Sequence, residues 1–144
     1  MLAERLMDEI ESWNSGVRIL ADEDLALTIG RPPSSVQEME RLKVDFIVSI
    51  GGDGTILRTI HKMADPVPIL GINMGTLGFL VDVEPADALE TIKRLLSGFV
   101  VDERSRLKLL LNGVCMPRAT NEIAFLTASP AKMIEFEILV DGSL

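Results

Sequence analysis

The chain has 144 residues, 47% apolar and 25% charged, a balance that fits a soluble globular protein and excludes a disordered one. Its net charge of −8 argues against nonspecific binding to nucleic acid or an anionic membrane surface, while leaving room for a local phosphate pocket. No apolar run approaches the roughly 20 residues of a membrane helix, and no signal-peptide pattern opens the chain. A single cysteine, Cys115, excludes an internal disulfide and fits the cytoplasm; in its setting it reads as a small apolar filler. A single histidine, His61, reads as a helix-surface residue and leaves no cluster for a zinc site and no partner for a His-dependent hydrolase.

In chain order, Leu2, Leu6, Ile10 and Trp13 recur at helical spacing, so Met1 to Trp13 is expected to form an amphipathic helix ended by Asn14-Ser15-Gly16. Val17 to Ala21 reads as a strand, Asp24 to Ile29 as a short helix, Arg31 to Ser35 as a loop and Val36 to Leu42 as a helical stretch. Phe46 to Ile50 has the β-branched and aromatic pattern of a strand buried on both faces. It stops at Gly51-Gly52-Asp53-Gly54-Thr55, and a helical pattern follows with Ile56, Leu57, Ile60, Met63 and Ala64 on one face. Thr55, Arg58, Thr59 and Lys62 lie on the polar face, where Arg58 and Lys62 are placed to flank an anion.

A glycine turn between a strand's carboxyl end and a helix's amino end suits phosphate, because free backbone N–H groups and the helix dipole both favour anions. Asp53 is a carboxylate in that anion site. It reads either as the helix N-cap or as the group that takes a proton from a substrate hydroxyl during phosphoryl transfer. Ile69 to Ile72 is a second buried strand, ending in a second glycine-rich turn, Asn73-Met74-Gly75-Thr76-Leu77-Gly78-Phe79-Leu80. Two such turns are expected to form the lips of one crevice at one sheet edge.

Val83 to Ser97 reads as a helix, with Pro85 in its first turn and Gly98 at its end. Beyond it the pattern turns to strands: Val100-Val101, Leu107 to Leu111, Ala119 to Leu126 and the alternating Ile134 to Val140, with turns at Asn112-Gly113 and Asp141-Gly142. The expected fold is therefore α/β, a mainly parallel sheet flanked by helices over 1–98, followed over 99–144 by the start of an all-β domain.

Three stretches, Gly51-Gly52-Asp53-Gly54-Thr55, Asn73-Met74-Gly75-Thr76-Leu77-Gly78-Phe79 and Thr120-Asn121-Glu122-Ile123, together resemble the NAD kinase family, and Pro130-Ala131-Lys132-Met133-Ile134 is similar to it too. Diacylglycerol and sphingosine kinases share the first turn but differ in the second, and six-phosphofructokinases lack the Asn-Glu pair. The resemblance implies transfer of a phosphoryl group from ATP or inorganic polyphosphate, with a divalent metal, Mg²⁺, to the adenosine ribose 2′-hydroxyl of NAD. It implies that Asp53 is the general base and an NAD contact, that Gly54 adjoins the nucleotide and that Arg58 lies on the phosphate side. It also implies that Asn121, Glu122 and Lys132 contact NAD and that the full-length protein is a homo-oligomer; no metal-ligating residue is singled out. Taken without the resemblance, Arg58 and Lys132 read as solvated cations. Asn121 and Glu122, as strand neighbours, would point to opposite faces.

Family members begin with a strand ahead of the first helix and continue well past Leu144, so the chain reads as an amino-terminal portion, inactive or weakly active alone. The alternatives are a lipid or sugar-phosphate kinase sharing the first turn, or a non-catalytic nucleotide-binding fragment.

Overall fold

The structure is a computed structural model that describes residues 1–13, 16–75, 78–81, 83–129 and 132–143. The end of the first helix at Asn14-Ser15, the centre of the second glycine turn at Thr76-Leu77, and Pro130-Ala131 lie outside the described residues.

Helix α1 (Leu2–Trp13) is amphipathic, and its Ala3, Leu6, Met7 and Ile10 are buried. Two short helices follow, α2 (Glu23–Ile29) and α3 (Val36–Arg41). Each is started by a side chain that accepts an otherwise orphan N–H. Asp22 accepts from the Leu25 amide at 3.1 Å and Ser35 from the Glu38 amide at 3.1 Å. Gly30 ends α2 at φ 69°, a left-handed position that costs glycine little. Arg31 then reaches back to α1, donating to both oxygens of Glu11 at 2.5 and 2.9 Å.

The centre is a parallel pair, β1 (Ile47–Gly51) and β2 (Ile69–Asn73), in register Ile47↔Ile69 through Gly51↔Asn73. Residues directly opposite share a face, so Val48, Leu70, Ile50 and Ile72 form one side. That side packs against Leu6 and Ile10 of α1 and Ala88 and Ile92 of α5 (Ala88–Ser97). Burying an aliphatic side chain of this kind stabilises by about 1.5–3 kcal/mol. The other side carries Ser49 and Gly71 and is covered by α4 (Asp53–His61). A Cβ on Gly71 would come 2.7 Å from Ile56 Cδ1 and 3.2 Å from both Val81 methyls, so its missing side chain is what lets α4 sit on the sheet. Helices thus flank a parallel sheet on both faces, as the patterning predicts.

Several expectations need correction. Val17 to Leu20 form no strand. Only Ala21 makes a bridge, to Pro33, although Val17 and Ile19 do pack against the core. The helix expected from Val83 starts at Ala88: Val83 instead bridges Ile72 and accepts from the Asn73 amide at 2.8 Å, and 85–87 are a turn. Backbone pairing beside β2 outcompetes an early helix start.

Beyond residue 98 the antiparallel pair is β3 (Leu110–Leu111) with β4 (Val114–Cys115), closed by Asn112 at φ 50° and Gly113 at φ 81°. This is the left-handed pair an Asn-Gly hairpin turn requires. Leu107 pairs with Ala119 further along, and Cys115 is exposed, so it is not an apolar filler. The strands expected at 100–101, 119–126 and 134–140 are not formed among the described residues. Alternation chooses a strand's faces but supplies no partner for its N–H and C=O groups. No helix among the described residues is long and apolar enough to cross a membrane.

Candidate active site

Parallel pairing carries the ends of β1 and β2 to the same sheet edge, and the Met74 amide donates to the Gly51 carbonyl at 3.2 Å just beyond them. The two glycine turns therefore leave one edge together, as expected. Tight geometry explains the first turn. A Cβ on Gly51 would lie 2.9 Å from Thr55 Cβ and closer still to its hydroxyl. In the second turn the Asn73 side chain accepts from the Gly75 amide at 2.9 Å, a local turn that bends the chain away from the strand.

Asp53 is not the N-cap of α4. Gly52 holds that position without any side-chain bond, and Asp53 is the first helical residue. Its carboxylate reaches across to the second turn, where Oδ2 accepts from the Phe79 amide at 2.8 Å and Oδ1 from the Leu80 amide at 3.0 Å. Each oxygen retains a further lone pair, so the bonds leave acceptor capacity for a hydroxyl. Capping by Asp53 fails because its side chain has two donors elsewhere that hold it better than one amide of its own helix.

Arg58 folds back over the first turn of α4. Its Nη2 donates to Thr55 Oγ1 at 3.2 Å, and its Nη1 lies 3.8 Å from where a Gly54 Cβ would stand. Asp53, Gly54, Thr55 and Arg58 thus share one end of the helix, with a cation beside backbone N–H groups. Lys62 does not join them. It is the C-terminal cap residue of α4, about 13 Å along a nine-residue helix. There it lines a shallow cleft with Asp22, Asp24 and Ser35. His61 is exposed on the helix surface.

Asn121, Glu122 and Lys132 are exposed, and among the described residues none of them hydrogen-bonds to the Asp53 cluster. Asn121 and Glu122 stand in no strand. Three participants went unmarked by sequence reasoning: the Phe79 and Leu80 amides and the bare Cα of Gly78. Backbone groups carry no residue signature, and only the glycine spacing of the second turn hinted at them.

A family model described as the ATP-NAD kinase N-terminal domain matches residues 2–100. An NAD kinase of Methanosarcina barkeri is 49% identical over 140 residues, 97% of this chain and 51% of that protein. One of Thermococcus kodakarensis is 44% identical over 146 residues, 99% of this chain and 52% of that protein. The crystal structure of an NAD kinase from Archaeoglobus fulgidus in complex with ATP matches with a TM-score of 0.56 at 36% identity, over 77% of this chain and 45% of that one. A yeast NADH kinase complexed with NADH has the same TM-score, 0.56, at 22% identity, which speaks for the fold alone. The chain spans about half the length of the curated relatives it matches. With its two glycine turns at one sheet edge and these relatives along nearly its whole length, the chain belongs to the NAD kinase family.

Proposed function

We propose that the full-length protein phosphorylates the adenosine ribose 2′-hydroxyl of NAD to give NADP, with ATP or inorganic polyphosphate as donor. The observation that carries this reading is the position of Asp53, a carboxylate at the amino end of a helix, held where two glycine turns meet. In the step, the ribose oxygen attacks the donor's terminal phosphorus as the bond to the leaving phosphate oxygen breaks, and the hydroxyl proton passes to Asp53. Arg58 and the free amides of the first helical turn would neutralise charge on the phosphates. Gly54, without a Cβ, lets the nucleotide approach the backbone. Asn121, Glu122 and Lys132 are proposed to hold NAD.

A divalent cation, Mg²⁺, is proposed to enter chelated to the donor's phosphates as part of the substrate. Binding of ATP by the Archaeoglobus fulgidus relative supports ATP as a donor. A cytoplasmic homo-oligomer is proposed for the full-length protein.

A second reading has its own support. The two amide bonds to Asp53 would be needed if the carboxylate only latched the second turn to α4. NADP formation from NAD, assayed with ATP and with polyphosphate, tests the proposal. Phosphorylation of a lipid or sugar phosphate in its place, or nucleotide binding without turnover, would overturn it.

A further inference from the structure

We infer that Gly78 is a positioning residue, whose bare Cα sets where the Asp53 carboxylate stands. The inference rests on the kinase reading for its use, but its geometry is independent of it. A Cβ built on Gly78 would lie 2.7 Å from Asp53 Cγ and 2.9 Å from Oδ2, with Oδ1 closer still. These three atoms are the nearest it would meet, so the carboxylate occupies the space a Gly78 side chain would take. The next two residues, Phe79 and Leu80, supply the amides that hold its two oxygens. Residues 78–80 therefore form a backbone cradle with a floor and two donors, and the floor exists only because position 78 has no side chain. An acid twenty-five residues earlier in the chain is aimed by this cradle and not by its own helix, whose cap is Gly52.

The cheapest way for a methyl group at position 78 to fit is to push the carboxylate, the far end of a short side chain, off both amides. Asp53 is half-buried at a rim, so the displaced carboxylate can be hydrated. The loss should then fall on geometry more than on folding. A displacement of about 1 Å at a reacting group costs up to about 100-fold in rate. The positional effect must also vanish when there is no carboxylate to displace.

The test is a cycle in the full-length protein of Gly78→Ala, Asp53→Ala and the double variant, read by NADP turnover, thermal melting and amide hydrogen exchange at Phe79 and Leu80. Gly78→Ala should lower kcat about 10- to 100-fold with KM for the donor little changed. In the Asp53→Ala background the same change should alter turnover by less than about threefold and leave melting unchanged. Exchange at Phe79 and Leu80 should accelerate in Gly78→Ala and to a similar extent in Asp53→Ala. Equal losses from Gly78→Ala in both backgrounds would overturn the inference, as would wild-type exchange at both amides. Should Gly78→Ala melt early or fail to fold, recovery in the double variant supports the carboxylate clash, and no recovery refutes it. A wild-type protein that forms no NADP would end the kinase reading, while the exchange and melting arms would still decide the placement.

Discussion

At the first residue of α4, one carboxylate meets two requirements, since Asp53 holds the Phe79 and Leu80 amides and is the proposed acceptor of the ribose proton. Asp53→Asn separates the roles. The amide keeps the shape but offers one acceptor oxygen where the carboxylate offers two, so one backbone N–H loses its partner. In the full-length protein a lost bond of this kind costs about 1–3 kcal/mol, or a fall of roughly 2–12 °C in melting temperature for a domain of about 150–250 residues. A latch alone predicts that fall with turnover within about threefold of wild type. A general base predicts turnover lower by roughly 10²–10⁴-fold on top of it. We expect the second result from turnover and melting measured side by side, and the first would move the search for a base to Glu122. The Gly-Gly-Asp-Gly turn made this carboxylate legible in the sequence, but its partners were not. One of its two readings made Asp53 a helix cap because local rules see only the next few residues, whereas its bonds go to residues 26 and 27 positions away.

Between elements, two contacts make opposite kinds of prediction. Gly71 lets α4 sit on β2, and Gly71→Ala would drive a methyl into Ile56 Cδ1. Overpacking of this sort costs about 1–3 kcal/mol. Ile56→Val removes the atom struck, so the pair should be less destabilised than the sum of its singles, read by denaturant unfolding; strict additivity would refute the contact. Arg31 ties the loop after α2 to α1. Its hydrogen bonds hold the Glu11 carboxyl below the ordinary glutamate range, opposed by desolvation and aided by the charge attraction of Arg31. Because the folded value lies below the unfolded one, this stabilisation is complete above the ordinary glutamate range and is lost as pH falls through the depressed value. The pair is exposed, so the effect is modest and weakens with salt. Glu11→Gln should therefore flatten the acid side of the melting-temperature curve at low salt, and an unchanged slope would show the pair to be idle. Helices α2 and α3 were readable because caps and turns are local chemistry. The expected strand at 17–21 was not formed because its residues reach the core without a ladder partner beside them.

For the whole molecule, the accessible surface is 10847 Å², against about 7,300 Å² for a typical folded monomer of this mass. The excess is not spread evenly. Within 1–98 the buried residues of α1, β2 and α5 close over the sheet. Beyond it, Val100, Leu126, Met133, Ile138 and Val140 are largely exposed, and Ile134 and Phe136 lie on the face that alternation reserved for a core. Alternation marks Ile134, Phe136 and Ile138 as inward-facing, and that reading concerns the face of a strand that has no ladder among the described residues. Patches larger than a few hundred Å² on a lone chain seek other apolar surface. The 144-residue chain by itself should therefore bind a hydrophobic dye such as ANS strongly and self-associate as its concentration rises. A chain ending after Phe99, which keeps the edge-to-face contact of Phe46 with Phe99, should lose most of the dye signal and retain the helical circular dichroism of α1, α4 and α5. Equal dye binding by the two chains would place the sticky surface within the α/β region and refute the argument. Dye binding that disappears in a protein of the relatives' full length, with NADP formation gained at the same time, would identify the same apolar segments as the joint between the crevice of the two glycine turns and the rest of the protein.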